Sequence, residues 1–204
     1  MRAFLLAVVV LCAAPAFAQQ AVQRTESPKP GDLITNPTFA LWANFAVGTS
    51  VTQKEAVTLA DGTIIESQMT ARLVSKHPDK LTVEMTLVPL DAARRAGVVD
   101  ETKTLTTYPS KVKFEDFQTP ESSGYSVTTG KETLDLNGKR IDTEWVEASS
   151  TNSDGSVTER DWYATDIPGG LVKQTVTKKK GAELTSQSML ELVVVKAKPE
   201  VKKP

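Results

Sequence analysis

The 204-residue chain predicts a mainly β fold: a single strongly curved antiparallel sheet, a half-barrel or barrel of about eight or nine strands, with one or two short helices. Three observations carry this expectation. From Ser50 onward apolar residues recur with a period of two, the signature of half-buried strands. Turn pairs with a physical mechanism, Asp61-Gly62, Asn137-Gly138 and Asp154-Gly155, punctuate those runs. Finally, Ile167-Pro168-Gly169-Gly170 is a corner: Pro168 fixes its own φ and cannot donate to a ladder, and Gly169 accepts the positive φ of a type II turn. A flat sheet of this size would leave long edges and a bare apolar face, so curvature or short helices must close the core.

The front of the chain reads as an export signal. Arg2 precedes the apolar run Ala3–Leu11, and small residues lead to Ala16-Phe17-Ala18, which predicts a signal peptide over 1–18 cleaved between Ala18 and Gln19. The run is too short to span a bilayer; a retained anchor is the alternative. Cys12 could be a lipidation site, but the residue before such a cysteine should be small and here it is Leu11, so lipid attachment is not expected. With Cys12 removed, the mature chain has no cysteine, and disulfides, thiolate catalysis and cysteine-based zinc or iron–sulfur sites go with it. The expected organisation is an irregular segment over 19–35, one β-rich domain over 36–196, and a disordered, lysine- and proline-rich tail over 197–204. A periplasmic or extracellular location follows.

A net charge of −1, one unit more negative without Arg2, gives no electrostatic footprint for nucleic acid or an anionic membrane. Asn36-Pro37 is an N-cap followed by proline at the first helical position. It starts a short helix that carries Phe39, Trp42 and Phe45 and stops by Gly48; Trp42 and Phe45 are expected to plug one end of the sheet.

Val51, Val57 and Leu59 share one strand face, Asp61-Gly62 turns the chain, and Ile65, Met69, Ala71 and Leu73 share the next. Lys76-His77-Pro78-Asp79 connects to a strand with Leu81, Val83, Met85 and Leu87 on its dry face. Asp91–Ala96 is helix-prone and ends at Gly97; Val98–Tyr108 is a threonine-rich edge strand protected by Lys103. Between Pro109 and Gly130 the pattern weakens, with Val112 and Phe114 alternating and Pro120–Gly124 reading as loop. Lys131–Leu136 and a strand with Ile141, Thr143 and Trp145 on one face flank Asn137-Gly138. A loop over Ser149–Ser153 then reaches Asp154-Gly155. Ser156–Thr165 leads into the corner. Leu171–Thr177 follows, then a basic turn at Lys178–Gly181, and a last strand with Leu184, Leu190, Leu192 and Val194 on one face.

The chemistry is notable for what is missing. The single histidine, His77, sits in a turn, so no His-centred triad is expected, and one histidine without cysteine makes a transition-metal site unexpected. There is no nucleophile elbow, dinucleotide fingerprint or calcium loop, so the chain is expected to be non-enzymatic and to need no cofactor. Carboxylates lie near aromatics at Glu144 and Glu147 and at Glu159 and Asp161. The last two share a strand face, which a solvated outer face explains as well as catalysis does. Lys178-Lys179-Lys180 reads as a solvated turn. Trp145 and Trp162 are the candidate ligand-binding residues, since aromatics in a curved sheet can line a cavity; Tyr163 points away from Trp162, so only one of that pair can face the interior.

Leu134–Lys173, with Asn137-Gly138-Lys139, Trp145, Asp154-Gly155, Trp162-Tyr163 and the Pro-Gly-Gly-Leu-Val-Lys corner, resembles exported bacterial proteins of unknown function. More remotely it is similar to the curved-sheet envelope carriers of the LolA and LppX type. The resemblance implies an envelope compartment and a possible lipid or other apolar ligand on the concave face; it brings no catalytic residue. The other reading is an envelope or secreted scaffold with a filled core, whose partner is another envelope protein.

Overall fold

The computed structural model describes residues 28–90, 101–117, 125–153 and 155–196. The expected signal peptide with its Ala18–Gln19 cleavage site, Cys12, the helix-prone 91–96 stretch, the 120–124 loop, Asp154 and the 197–204 tail lie outside these residues.

The chain builds a nine-stranded antiparallel sheet in the order β5-β4-β3-β2-β11-β10-β9-β8-β7. Its N-terminal meander is β2 (Ser50–Leu59), β3 (Ile64–Lys76), β4 (Lys80–Pro89) and β5 (Thr102–Pro109). The C-terminal meander is β7 (Tyr125–Leu136), β8 (Lys139–Asn152), β9 (Gly155–Tyr163), β10 (Leu171–Lys180) and β11 (Glu183–Lys196). One seam joins them: β2 pairs with β11 from Ser50↔Lys196 to Leu59↔Ser186. Strands β5 and β7 are unclosed edges, which selects the open half-barrel form over the closed barrel. A small second sheet pairs β1 (Leu33–Thr35) with β6 (Lys111–Lys113), and a 3₁₀ turn, Phe114–Phe117, follows it. Thus the end of the segment expected to be irregular is a strand.

The hairpin turns follow from backbone chemistry. Asn137 and Gly138 both take positive φ, 55° and 74°, the requirement of a type I′ turn. Asp61 accepts from the Thr63 amide at 2.9 Å, which fixes the first turn around Gly62. At the corner, the Gly170 amide donates to the Ile167 carbonyl at 2.9 Å and Gly169 has φ +75°, so the expected type II turn forms.

Helix α1 (Pro37–Ala43) is capped by Asn36, whose Oδ1 accepts from the amides of Thr38 and Phe39. Its other end is held by Lys76, whose ammonium donates to the carbonyls of Ala43 and Phe45 at 3.0 and 3.1 Å. Trp42 is buried in the core with Val51, Leu73, Leu81, Val83, Ile167 and Val172, while Phe45 packs against that core half-buried. Helix and corner therefore meet over one end of the sheet.

Four sequence expectations need correction. Strand β7 starts at Tyr125, six residues before the apolar signal at Lys131: Gly130 lies inside it, flattened under the Trp145 ring, and glycine weakens the pattern without breaking the strand. Ser149–Asn152 is strand, since polar residues on a long hairpin keep their ladder and Ser149 bonds Thr158 across it at 3.2 Å. Lys178–Lys180 also belong to β10, the turn being at Gly181-Ala182. In β11 a bulge between Leu192 and Val194 shifts the alternation, so Val195 packs on the core and Val194 is exposed.

Candidate functional site

Alternation along the strands gives the sheet two unlike faces. The inner one packs against α1 and the corner and leaves a partly open pocket with about 100 Å³ of interior space. Its floor comes from Val51 and Gln53 of β2, Met69 and Ala71 of β3, Val83 and Met85 of β4, and Leu190 of β11. Tyr108 closes one side, Asp161, Tyr163, Leu171 and Gln174 the other, and the roof is Thr38, Leu41, Trp42, Pro168 and Gly169. The wall is predominantly apolar, with the polar groups gathered on the β9–β10 side.

The roof depends on its glycines. A Cβ on Gly169 would stand 3.0 Å from Trp42 Nε1, and one on Gly170 would stand 2.8 Å from Leu41 Cδ2, with both φ angles positive. The Gly169 amide also donates to the Leu41 carbonyl at 3.3 Å. Helix and turn are thus keyed to each other, and together they form the lid of the pocket.

The polar side is unusual. Cross-strand register sets Asp161 opposite Gln174, Gln174 opposite Leu190, and Leu190 opposite Glu55. Gln53, itself buried, donates to the Leu171 carbonyl at 2.8 Å beside the β10 bulge. Gln174 donates to Glu159 at 2.7 Å, and Ser67 to Glu55 at 3.2 Å. Asp161 is only 7% exposed; its Oδ2 accepts from the Tyr163 hydroxyl at 2.8 Å, while its Oδ1 is buried with no hydrogen-bond partner. Burial raises the Asp161 carboxyl above the ordinary aspartate value, against the opposing hydrogen bonds from Tyr163 and Gln174. Burial, then the Asp161 charge, pushes Glu159 up to about 7. Glu55 is raised by burial, opposed by the Ser67 hydrogen bond.

The expectation that Glu159 and Asp161 lie on a solvated outer face is therefore wrong: they are inner-face residues, and Asp161 is a pocket wall. Tyr163 is the aromatic of its pair that reaches the pocket. Trp162 takes the other face, where Trp145 is its cross-strand partner. There Trp145 covers Gly130, with ring atoms 2.5 Å from where a Cβ would be, and the Arg160 guanidinium stacks over it at 4.5 Å. Arg160 also pairs with Glu147 at 2.7 Å, and Trp162 Nε1 donates to Glu132 at 2.9 Å. Neither indole is among the residues that line the pocket.

The arrangement offers an apolar seat with a hydrogen-bond acceptor at its side. Among the described residues no three His, Cys, Asp or Glu side chains form a group able to hold a metal ion, and no helix is long and apolar enough to cross a membrane. Sequence reasoning missed Gln53, Gln174 and the methionines as wall residues. Gln53 was detectable, since it falls on the Val51 and Val57 face, where a glutamine is out of pattern.

No family model matches the chain, and no curated protein matches it. Similar solved structures include a candidate exported protein with a YmcC-like fold from Bacteroides fragilis, 13% identical, covering 74% of this chain and 97% of that one at a TM-score of 0.43. A candidate outer-membrane lipoprotein-sorting domain from Vibrio parahaemolyticus is 11% identical, with 81% and 91% covered and a TM-score of 0.30. A DUF1329 family protein from Desulfovibrio piger is 10% identical, with 78% and 89% covered and a TM-score of 0.26.

Proposed function

We propose that this is an exported, non-enzymatic binding protein that holds the apolar part of a lipid or similar ligand between the inner face of its sheet and the α1–corner lid. The observation that carries the reading is the pocket itself: about 100 Å³, mostly apolar and partly open. That space seats the end of a chain rather than a whole molecule, so the remainder of the ligand leaves through the mouth. Met69 and Met85 suit this role because an unbranched thioether repacks at low cost around different occupants. Export is supported by the signal-like run before Gln19.

Mass spectrometry of solvent extracts from protein purified natively from its host tests the proposal. An apolar or amphiphilic molecule should co-purify at about one per chain and vanish in Ala71→Phe, which fills the seat from the floor. Recovery of nothing from the native protein counts against it.

A second reading, a scaffold with a filled core, has its own support. Trp42, Ile167 and Pro168 of the lid itself are buried, and the remaining space falls below the roughly 300 Å³ at which ordinary small-molecule sites begin. On that reading Ala71→Phe should cost stability and change nothing that co-purifies.

A further inference from the structure

The acids of the inner face sit where the pocket wall turns polar, and they are tied to one another. Asp161 is a wall residue, almost fully buried, whose Oδ2 accepts from the Tyr163 hydroxyl at 2.8 Å. Gln174, also of the wall, donates to Glu159 at 2.7 Å and is a hydrogen-bond partner of the Asp161 carboxyl as well. One amide therefore bridges two carboxyl groups that share a face of β9. From β8 the cross-strand partners Val146 and Ala148 bring no charge, and Glu144, opposite Tyr163, is held by Lys131 at 2.9 Å. From β10 comes Lys178, which acts on Glu159 through its field, and from β2 a third acid, Glu55, bonded by Ser67 of β3. The roof residues of α1 are Thr38, Leu41 and Trp42, and among the described residues no lysine or arginine lines the pocket. Burial is accordingly the leading influence on Glu159, Asp161 and Glu55, and it raises all three.

A space of about 100 Å³ is wide enough for water, whose dipoles help the wall to carry charge. An alkyl chain that displaces this water lowers the polarity beside Asp161 without touching its oxygens, and the neutral acid gains. The Asp161 charge also bears on Glu159, so the two titrate as a pair. Linkage is reciprocal: a chain that draws a proton onto the pair is itself held more tightly once the proton is there.

We propose that the pocket is a proton-linked site, in which an apolar chain binds with uptake of a proton by the Asp161–Glu159 pair, so that acid conditions load it and alkaline conditions release it. This rests on the pocket reading above and adds its regulation. Acids raised by burial keep their protons on the acid side, so affinity is full there and falls as pH climbs through about 7, where Glu159 ionises.

The test is calorimetric titration of the full chain with octanol, which stays uncharged, between about pH 5 and pH 8. Affinity should fall by about fivefold or more across that range, and near neutrality the binding enthalpy should differ between phosphate and Tris buffers in the sense of proton uptake. Glu159→Gln, which lies outside the wall, should shrink the fall, and adding Asp161→Asn should abolish both the fall and the buffer difference. A wild-type affinity that is flat in pH, with no buffer difference, overturns the linkage and leaves the apolar seat standing. Binding at no pH overturns both. A fall that survives in the double variant overturns the assignment to this pair, and the wild-type comparison needs no variant to fold.

Discussion

The two faces of β9 make an instructive contrast, because they share a backbone and differ in how completely their polar groups are paired. On the outer face Arg160 is stacked on Trp145 and bonded to Glu147, and Trp162 Nε1 is bonded to Glu132. On the inner face Asp161 keeps one buried oxygen without a partner, and Glu159 holds its proton to about pH 7. A face whose groups are mutually satisfied has reached a stable arrangement and does not need a ligand. A face with a buried acceptor left over carries a cost that packing alone has not removed, and it is this face that borders the pocket. The aromatic-rich outer side thus reads as scaffold, and the plainer inner side as the site.

The largest test of this contrast is Trp162→Ala. It deletes a buried indole and its hydrogen bond and should cost about 3–5 kcal/mol in urea unfolding, with the molecule that co-purifies with the remaining folded protein unchanged. Gly170→Ala should cost about 2–4 kcal/mol, since it forces a left-handed φ on alanine and pushes Leu41. Unlike the tryptophan variant, it should also reduce the amount of co-purifying apolar ligand, because Leu41 roofs the pocket. Gly130→Ala should cost about 1–3 kcal/mol by displacing Trp145, again without touching binding.

The difference between glycines bears on how much could be read in advance. Gly169 and Gly170 were legible as a corner because proline precedes them and the turn is a local event. Gly130 was not, because its reason for being glycine is the Trp145 ring on the neighbouring strand, and no local pattern records a cross-strand contact. The same holds for the site. Alternation placed Glu159 and Asp161 together and separated Trp162 from Tyr163, yet which side of β9 faces the lid is decided by β2–β11 pairing and the docking of α1, both long-range. Aromatic residues drew attention to the outer face; the unpaired acid that marks the inner one becomes visible only when its surroundings are counted.

The pH dependence separates the faces in another way. Glu159, Asp161 and Glu55 all bind their protons more tightly folded than unfolded. Raised acids contribute stability below their ordinary values and lose it as pH climbs through the folded ones, so stability should fall between about pH 4.5 and 7. Glu159→Gln should flatten that decline in chemical-denaturation curves taken across the range. The smallest effect belongs to the exposed pair Lys131–Glu144: Lys131→Ala should change stability by less than about 0.5 kcal/mol.

The most direct test uses the methionines, which divide between the faces. Met69 and Met85 line the pocket, whereas Met189 is exposed on the opposite side of β11 from Leu190. In methyl-labelled protein titrated with octanol and followed by NMR, the Met69 and Met85 resonances should move together and saturate while Met189 stays still. Movement of Met189 with the other two unchanged would contradict the assignment of the inner face as the site.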